Sequence, residues 1–410
     1  MSATDHVGRS RLLLFVGKGG SGTTTIAAAA AVAAAERERV LLVSTDPLRT
    51  LAGVLGVGPL EQVTAIGNNL EAWQIDTLAL LENGYRGWSD LIGAAGVHEH
   101  GAQFESLEPE ELTGSLGIQD ILGLAEIERV TTSGDYDVVI VDCSAAGQAL
   151  SVLAAPAMTA QYLERLWPRH RRMVALGGAD VRLMVLVSVV ERIVVAVERT
   201  AALLTDRATT SVRLITSAEG VAATATRMTL SALSLSGLRV GAIAVNGVVP
   251  QFDSGSLPSA ADQWTASIRA RQLGIVDALR ENVGCVPVVT VEQTALEPVG
   301  LDRLREIAEA LTGDFGVGAD AGDDSTRASV RLESGSGVES VYVLRMYLPL
   351  VDPSSLSLGR VEDDVLVGAD GVRRRVRLAS VLRRCIVSGA ELTGNDLIIR
   401  FEPDPAVWPA

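Results

Sequence analysis

Residues 11–16, R-L-L-L-F-V, run without a break into the glycine-rich turn 17–22, G-K-G-G-S-G, and an Ala-rich stretch from Thr25 to Arg37 follows at once. A short, continuously apolar run reads as a strand covered on both faces, and Ala is the strongest helix former, so the order is strand, tight loop, helix. A buried strand that turns directly into a helix belongs to a parallel sheet with helical crossovers. The pattern recurs. Val40 to Ser44, Val138 to Val141, Val212 to Ile215 and Val240 to Val245 are further apolar runs, with helical patterns between them. The predicted class is α/β: a doubly wound, mostly parallel sheet with right-handed crossovers.

The loop carries phosphate-binding spacing. In the pattern G-x-x-x-x-G-K-[ST], Gly17 and Gly22 stand at the two glycines, and Thr24 stands at the hydroxyl position that holds Mg²⁺. Glycines let backbone N–H groups converge on phosphate oxygens, and the start of the helix adds positive potential. The candidate phosphate cradle is therefore Gly17, Lys18, Gly19, Gly20, Ser21, Gly22, Thr23, Thr24 and Thr25. One position departs from the pattern. Thr23 stands where the lysine that reaches the β- and γ-phosphates belongs. A short, uncharged hydroxyl cannot supply that charge, so the backbone is expected to bind nucleotide while hydrolysis in the chain's own site is slow or absent. Lys18, in the same loop, is the one lysine of the chain; the other 34 basic residues are Arg. A GC-rich genome that replaces Lys with Arg wherever charge alone matters accounts for the bias, and the surviving lysine marks a place where Arg does not substitute.

The formal charge of −15 repels phosphate backbones and argues against nucleic-acid binding. Cys143, Cys285 and Cys385 are scattered and form no C-x-x-C pair, which fits a reducing compartment. No targeting segment is legible, and Arg182, Glu191 and Arg192 interrupt the greasy stretch 181–197. The expectation is a cytoplasmic protein without an integral membrane segment. Residues 150–210 place Met158, Tyr162, Leu163, Leu166, Trp167, Met173, Leu183 and Met184 at helical spacing, as either an ordinary core face or an adaptable groove for an apolar client. Arg169, Arg171 and Arg172 read either as a solvated helix start or as a contact for a partner's acidic tail, and His98-Glu99-His100 as a solvated loop without a third metal ligand. Residues 313–329 read as an acidic flexible linker, and beyond it the period changes to 2, as in a small β-sandwich over 330–410.

The run G-K-G-G-S-G-T-T-T resembles the deviant loop K-G-G-x-G-K-[ST] of the ArsA-type ATPases, a family that includes the bacterial arsenite-pump subunit and the guided-entry factor for tail-anchored proteins. Val43 to Pro47 is similar to the family's first switch, S-T-D-P-A-H, with Leu48 and Arg49 in place of Ala and His. Tyr136 to Gln148 is similar to the second switch, D-T-A-P-T-G-H, with Cys143 to Ala146 departing from it. Tyr162 to Pro168, Val245 to Pro250 and Leu296 to Gly300 match further stretches, so the likeness covers 11–312, and 330–410 resembles the small heat-shock (α-crystallin-like) domain of some members.

The resemblance implies ATP and Mg²⁺, with Asp46 orienting the attacking water, Asp142 at the Mg²⁺, Asn246 on adenine and Glu297 in the loop beside the base. It implies a domain over 1–312 with a helical client subdomain at 150–210, and a dimer in which Lys18 reaches the other subunit's phosphates. Three functions stay open: a nucleotide-switched chaperone or targeting factor for an apolar client, a pseudo-ATPase that completes an active paralogue through Lys18 in a heterodimer, and an efflux-pump ATPase subunit. The last needs converging thiolates that the sequence does not offer, and the paired cysteines of the zinc-binding members are absent, so no zinc is expected.

Overall fold

The computed structural model describes residues 10–46, 48–94, 117–143, 145–177, 181–252, 259–284, 286–311, 315, 328–349 and 351–408. The His98-Glu99-His100 stretch, Pro47, Ser144, Cys285 and nearly all of the expected linker lie outside them. The chain divides into two compact units: Met1–Phe15, Thr24–Thr210 and Pro298–Ala308 in the first, and Val16–Thr23, Ser211–Glu297 and Glu309–Ala410 in the second.

The first unit is built from β1 (Arg11–Gly17, as far as Phe15), α1 (Thr23–Ala35), β2 (Val40–Ser44), α2 (Leu51–Leu55), β3 (Thr64–Gly67), β4 (Leu70–Gln74), α3 (Thr77–Ala94), α4 (Ile118–Thr132), β5 (Val138–Asp142), α5 (Ala146–Leu166), α6 (Arg169–Leu176) and α7 (Val181–Thr205). Its strands lie in the order β3-β4-β2-β5-β1, all parallel except the β3–β4 hairpin. Every residue of β2 and β5 is buried, as expected of parallel strands covered on both faces. α1 is Ala-rich and buried almost all round, since methyl side chains let a helix approach its neighbours closely. The register sets Ser44 directly beside Asp142 at the carboxyl ends of β2 and β5, the end of an open α/β sheet where ligands bind.

In the second unit β6 (Thr210–Ser217), α8 (Gly220–Leu235), β7 (Val240–Val248), α9 (Ala260–Asn282) and β8 (Val288–Glu292) give three parallel strands in sequence order. Ser217 pairs with Asn246, which brings Asn246 to the carboxyl end of β7. The tail forms β9 (Ser329–Ser334), β10 (Val341–Tyr347), β11 (Ser357–Val361), β12 (Asp364–Ala369), β13 (Val372–Arg377), β14 (Cys385–Thr393) and β15 (Asp396–Pro403). These make two antiparallel sheets, β14-β15-β10-β9 and β11-β12-β13, around one apolar core of Leu344, Met346, Val365, Val367, Ile399 and Phe401. The α/β class and the C-terminal β-sandwich are thus what the chain adopts. The tail core also takes in Leu235 from the end of α8. Ser231 Oγ donates to Pro349 O at 3.0 Å, and Tyr347 Oη donates to Val283 O at 3.2 Å.

No helix among the described residues is long and apolar enough to cross a membrane. The Arg169–Arg172 reading needs correction at one position. Arg169 and Arg171 are exposed, but Arg172 is 1% exposed. Its guanidinium donates to Glu191 at 2.5 Å, to Glu164 at 3.3 Å and to the carbonyl of Trp167, so it ties α6 to α5 and α7.

Candidate functional site

The loop begins where β1 ends. A Cβ on Gly17 would lie 2.3 Å from Thr23 Oγ1, 2.6 Å from Ser21 Oγ and 2.8 Å from Ile215 O, so only glycine fits. Gly20 and Gly22 are left-handed, at φ 81° and 82°. Such turns alternate the peptide planes and gather N–H groups into an anion-binding concavity. The Ser21 N–H closes the turn on Lys18 O at 2.9 Å. From β7, Asn246 Nδ2 donates to Ser21 O at 2.9 Å, and a Cβ on Gly22 would sit 2.4 Å from that nitrogen. Asn246, the adenine contact of the resemblance, here braces the loop. Thr23 and Ser21 share a hydroxyl hydrogen bond of 3.2 Å, so the residue in the lysine position is turned back into the loop. Lys18 and Glu297 are exposed. Thr23 to Thr25 open α1, where the first N–H groups have no partner within the helix.

The first unit contributes a connected polar set. Thr24 Oγ1 lies 3.4 Å from Thr50 Oγ1, which donates to Asp46 Oδ2 at 3.4 Å. The Asp46 N–H donates to Ser44 Oγ at 3.2 Å, and Ser44 Oγ donates to Asp142 Oδ2 at 3.1 Å. Asp46 Oδ1 accepts from the Leu48 N–H at 3.1 Å, which holds the switch turn on its own carboxylate. Asp142 is 1% exposed, and its Oδ1 has no partner. Burial pushes its pKa up to about 7; the Asp46 charge adds to that, and hydrogen bonds from Thr24 and Ser44 oppose it. A buried carboxylate with one unanswered oxygen, reached by a threonine hydroxyl, is a hard oxygen donor set that a Mg²⁺ ion suits, because the ion would restore the charged form.

Arg49, which stands where the family has His, takes φ 54° and pairs with Asp76 at 2.6 Å. Asp76 Oδ1 in turn accepts from the Leu78 and Ala79 N–H groups at the start of α3; these bonds and Arg49 hold its carboxyl below the usual range. Sequence reasoning did not single out Ser44, Thr50 or Gln74. Ser44 lies inside the quoted switch motif, but its bond to Asp142 depends on the β2–β5 register. Gln74 donates from Nε2 to Ser44 O at 3.1 Å and Asp46 O at 3.0 Å, and no motif signals it.

In the helices α5 to α7 the two readings of the apolar stripe separate. Leu153, Val187, Val194 and Val197 are buried, whereas Met158, Tyr162, Leu166 (80%), Met173, Val174 (76%) and Leu186 are exposed. The stripe thus has both a buried and an exposed apolar side along these helices.

A family model described as an anion-transporting ATPase matches residues 10–313, and one described as an HSP20-like domain found in ArsA matches 339–401. The Mycobacterium tuberculosis protein Rv2184c is 40% identical over 100% of both chains. The putative arsenical pump-driving ATPase 1 of Aquifex aeolicus is 24% identical over 95% of this chain and 99% of its own. The ATPase GET3 of Mycosarcoma maydis is 26% identical over 35% of this chain and 41% of its own.

Proposed function

The chain belongs to the anion-transporting ATPase family, and from that premise we propose that it binds ATP with Mg²⁺ as a dimer and turns it over slowly, coupling nucleotide state to an apolar client held on α5 to α7. The observation that carries this reading is the loop itself: three glycines in positions that exclude side chains or require left-handed backbone, braced from β7 by Asn246. Backbone amides of 17–23 and the first turn of α1 hold the phosphates without needing a lysine. Thr24 and Asp142 would hold Mg²⁺, which supplies charge neutralisation at the phosphates when bound. Asp46 orients the attacking water, and Glu297 lies in the loop beside the base. The exposed Met158, Tyr162, Leu166 and Val174 support the client surface.

Thr23 leaves the site without the cation that stabilises developing charge on the γ-phosphate. Thr23→Lys is therefore expected to raise steady-state ATP hydrolysis by about a hundredfold over the natural chain. A natural chain that already hydrolyses ATP at a rate the substitution does not change contradicts the reading.

A second reading rests on Lys18, which is exposed in this loop and is the chain's one lysine. In a heterodimer it completes the site of an active paralogue, so Lys18→Ala lowers the partner's turnover. The efflux-pump role has less support: Cys385 is buried in the tail and Cys143 sits beside Asp142 in the first unit.

A further inference from the structure

The end of α5 and the start of α6 meet at a bend over Trp167 and Pro168. Met158, Tyr162 and Leu166 of α5 follow one another four residues apart and so share a face, whose exposure rises toward the bend and reaches 80% at Leu166. On α6 the buried Arg172 fixes the inward side through Glu164, Glu191 and the carbonyl of Trp167. At about 3.6 residues per turn, the outward half then carries Met173, His170, Val174 and Arg171 next to one another. All four are exposed.

The charge at the bend is opposite to that of the chain. Met158 to Leu176 holds four arginines and one acid, in a chain with 50 acidic and 35 basic residues. The acid, Glu164, already accepts from Arg172 and from the Arg169 N–H. Arg169 and Arg171 are exposed, and their guanidinium groups hold no ion pair among the described residues.

The two properties together select the occupant. Side chains that line a groove shield one another, whereas a leucine 80% and a valine 76% exposed protrude. An acidic protein would answer the arginines, but it would need a pocket for each of Leu166 and Val174. A lipid surface needs none, because hydrocarbon closes round whatever enters it, and it presents phosphates just above that hydrocarbon.

We propose that the α5–α6 bend docks on an anionic lipid surface, with Leu166 and Val174 entering the acyl boundary and Arg169 and Arg171 on lipid phosphates. Repulsion from the chain's overall negative charge is screened beyond about 8 Å at physiological salt, whereas guanidinium groups at contact are felt in full. The proposal goes beyond the client reading and depends neither on it nor on nucleotide.

The test is co-sedimentation of the full chain, without nucleotide, with vesicles of phosphatidylcholine alone or of phosphatidylcholine and phosphatidylglycerol in equal parts. The chain is expected to sediment with the mixed vesicles, to stay in solution with the neutral ones, and to be released by added salt. Each arginine near an anionic leaflet contributes about fivefold in partitioning, so Arg169→Gln with Arg171→Gln should weaken binding about twentyfold. Leu166→Ser with Val174→Ser should weaken it by at least about tenfold, through the lost apolar contact. No uptake by the mixed vesicles, equal uptake by neutral ones, or undiminished binding in either double variant overturns the proposal. Capture by soluble polyglutamate without uptake by vesicles points to an acidic protein and overturns it too. The comparison of the two vesicle types uses the natural chain and stands whether or not a variant folds. With neither nucleotide nor protein client present, failure here leaves the ATP and client readings where they were.

Discussion

Asp142 concentrates the chemistry of the site in one side chain. It is buried at the end of β5 with an unpartnered Oδ1, and its pKa is raised to about 7. In the unfolded chain the same carboxyl ionises near its ordinary value of about 4. The folded state therefore keeps a proton that the unfolded state has lost, and stability falls as pH rises from about 4 to 7. Asp142→Asn removes that dependence. In chelator-treated buffer the variant is expected to be more stable than the natural chain at pH 8, by about 2–4 kcal/mol, and nearly equal to it at pH 4. Thermal unfolding at the two pH values checks this; an equal gap at both refutes the assignment of the raised pKa. Thr23 tells the complementary story, since its hydroxyl serves Ser21 within the loop and brings no charge to a ligand.

At the scale of elements, the helices α5 to α7 depend on Arg172, whose buried guanidinium joins three of them. The carboxylates it would leave behind still meet water, Glu191 at 25% and Glu164 at 54% exposure, so truncation loses mainly hydrogen bonds and packing, about 1–3 kcal/mol. Arg172→Ala should cost that much in urea unfolding, and pairing Arg172→Met with Glu191→Leu should recover most of it, because an apolar contact replaces the pair. Sequence could not anticipate this. An Arg run after Pro168 looks the same whether solvated or buried, and only the packing of α6 on α7 decides. β1, β2 and β5 were legible because a continuous apolar run admits few other structures. The β3–β4 hairpin was not, since T-A-I-G and L-E-A-W-Q carry too little apolar pattern to stand out. The glycines of the loop were legible from spacing, but the brace from Asn246 and the Ser44–Asp142 bond arise from strand register between segments far apart in sequence.

For the whole molecule, the tail is part of the second unit's packing. Leu235 of α8 enters its core, Ser231 bonds Pro349, and Arg374 donates to Leu235 O. Sequence legibly set a β-sandwich apart from the α/β chain, through the change of period near residue 330. The contact with α8 was hidden, because Leu235 reads as any other helical Leu. All of the functional account rests on the loop's retaining triphosphate with a threonine at its lysine position. The most direct measurement is calorimetric titration of ATP with Mg²⁺ into the purified chain. The account predicts saturable uptake of one nucleotide per chain within about 1 mM. No uptake of ATP or ADP in that range, alone or mixed with a paralogous subunit, contradicts it.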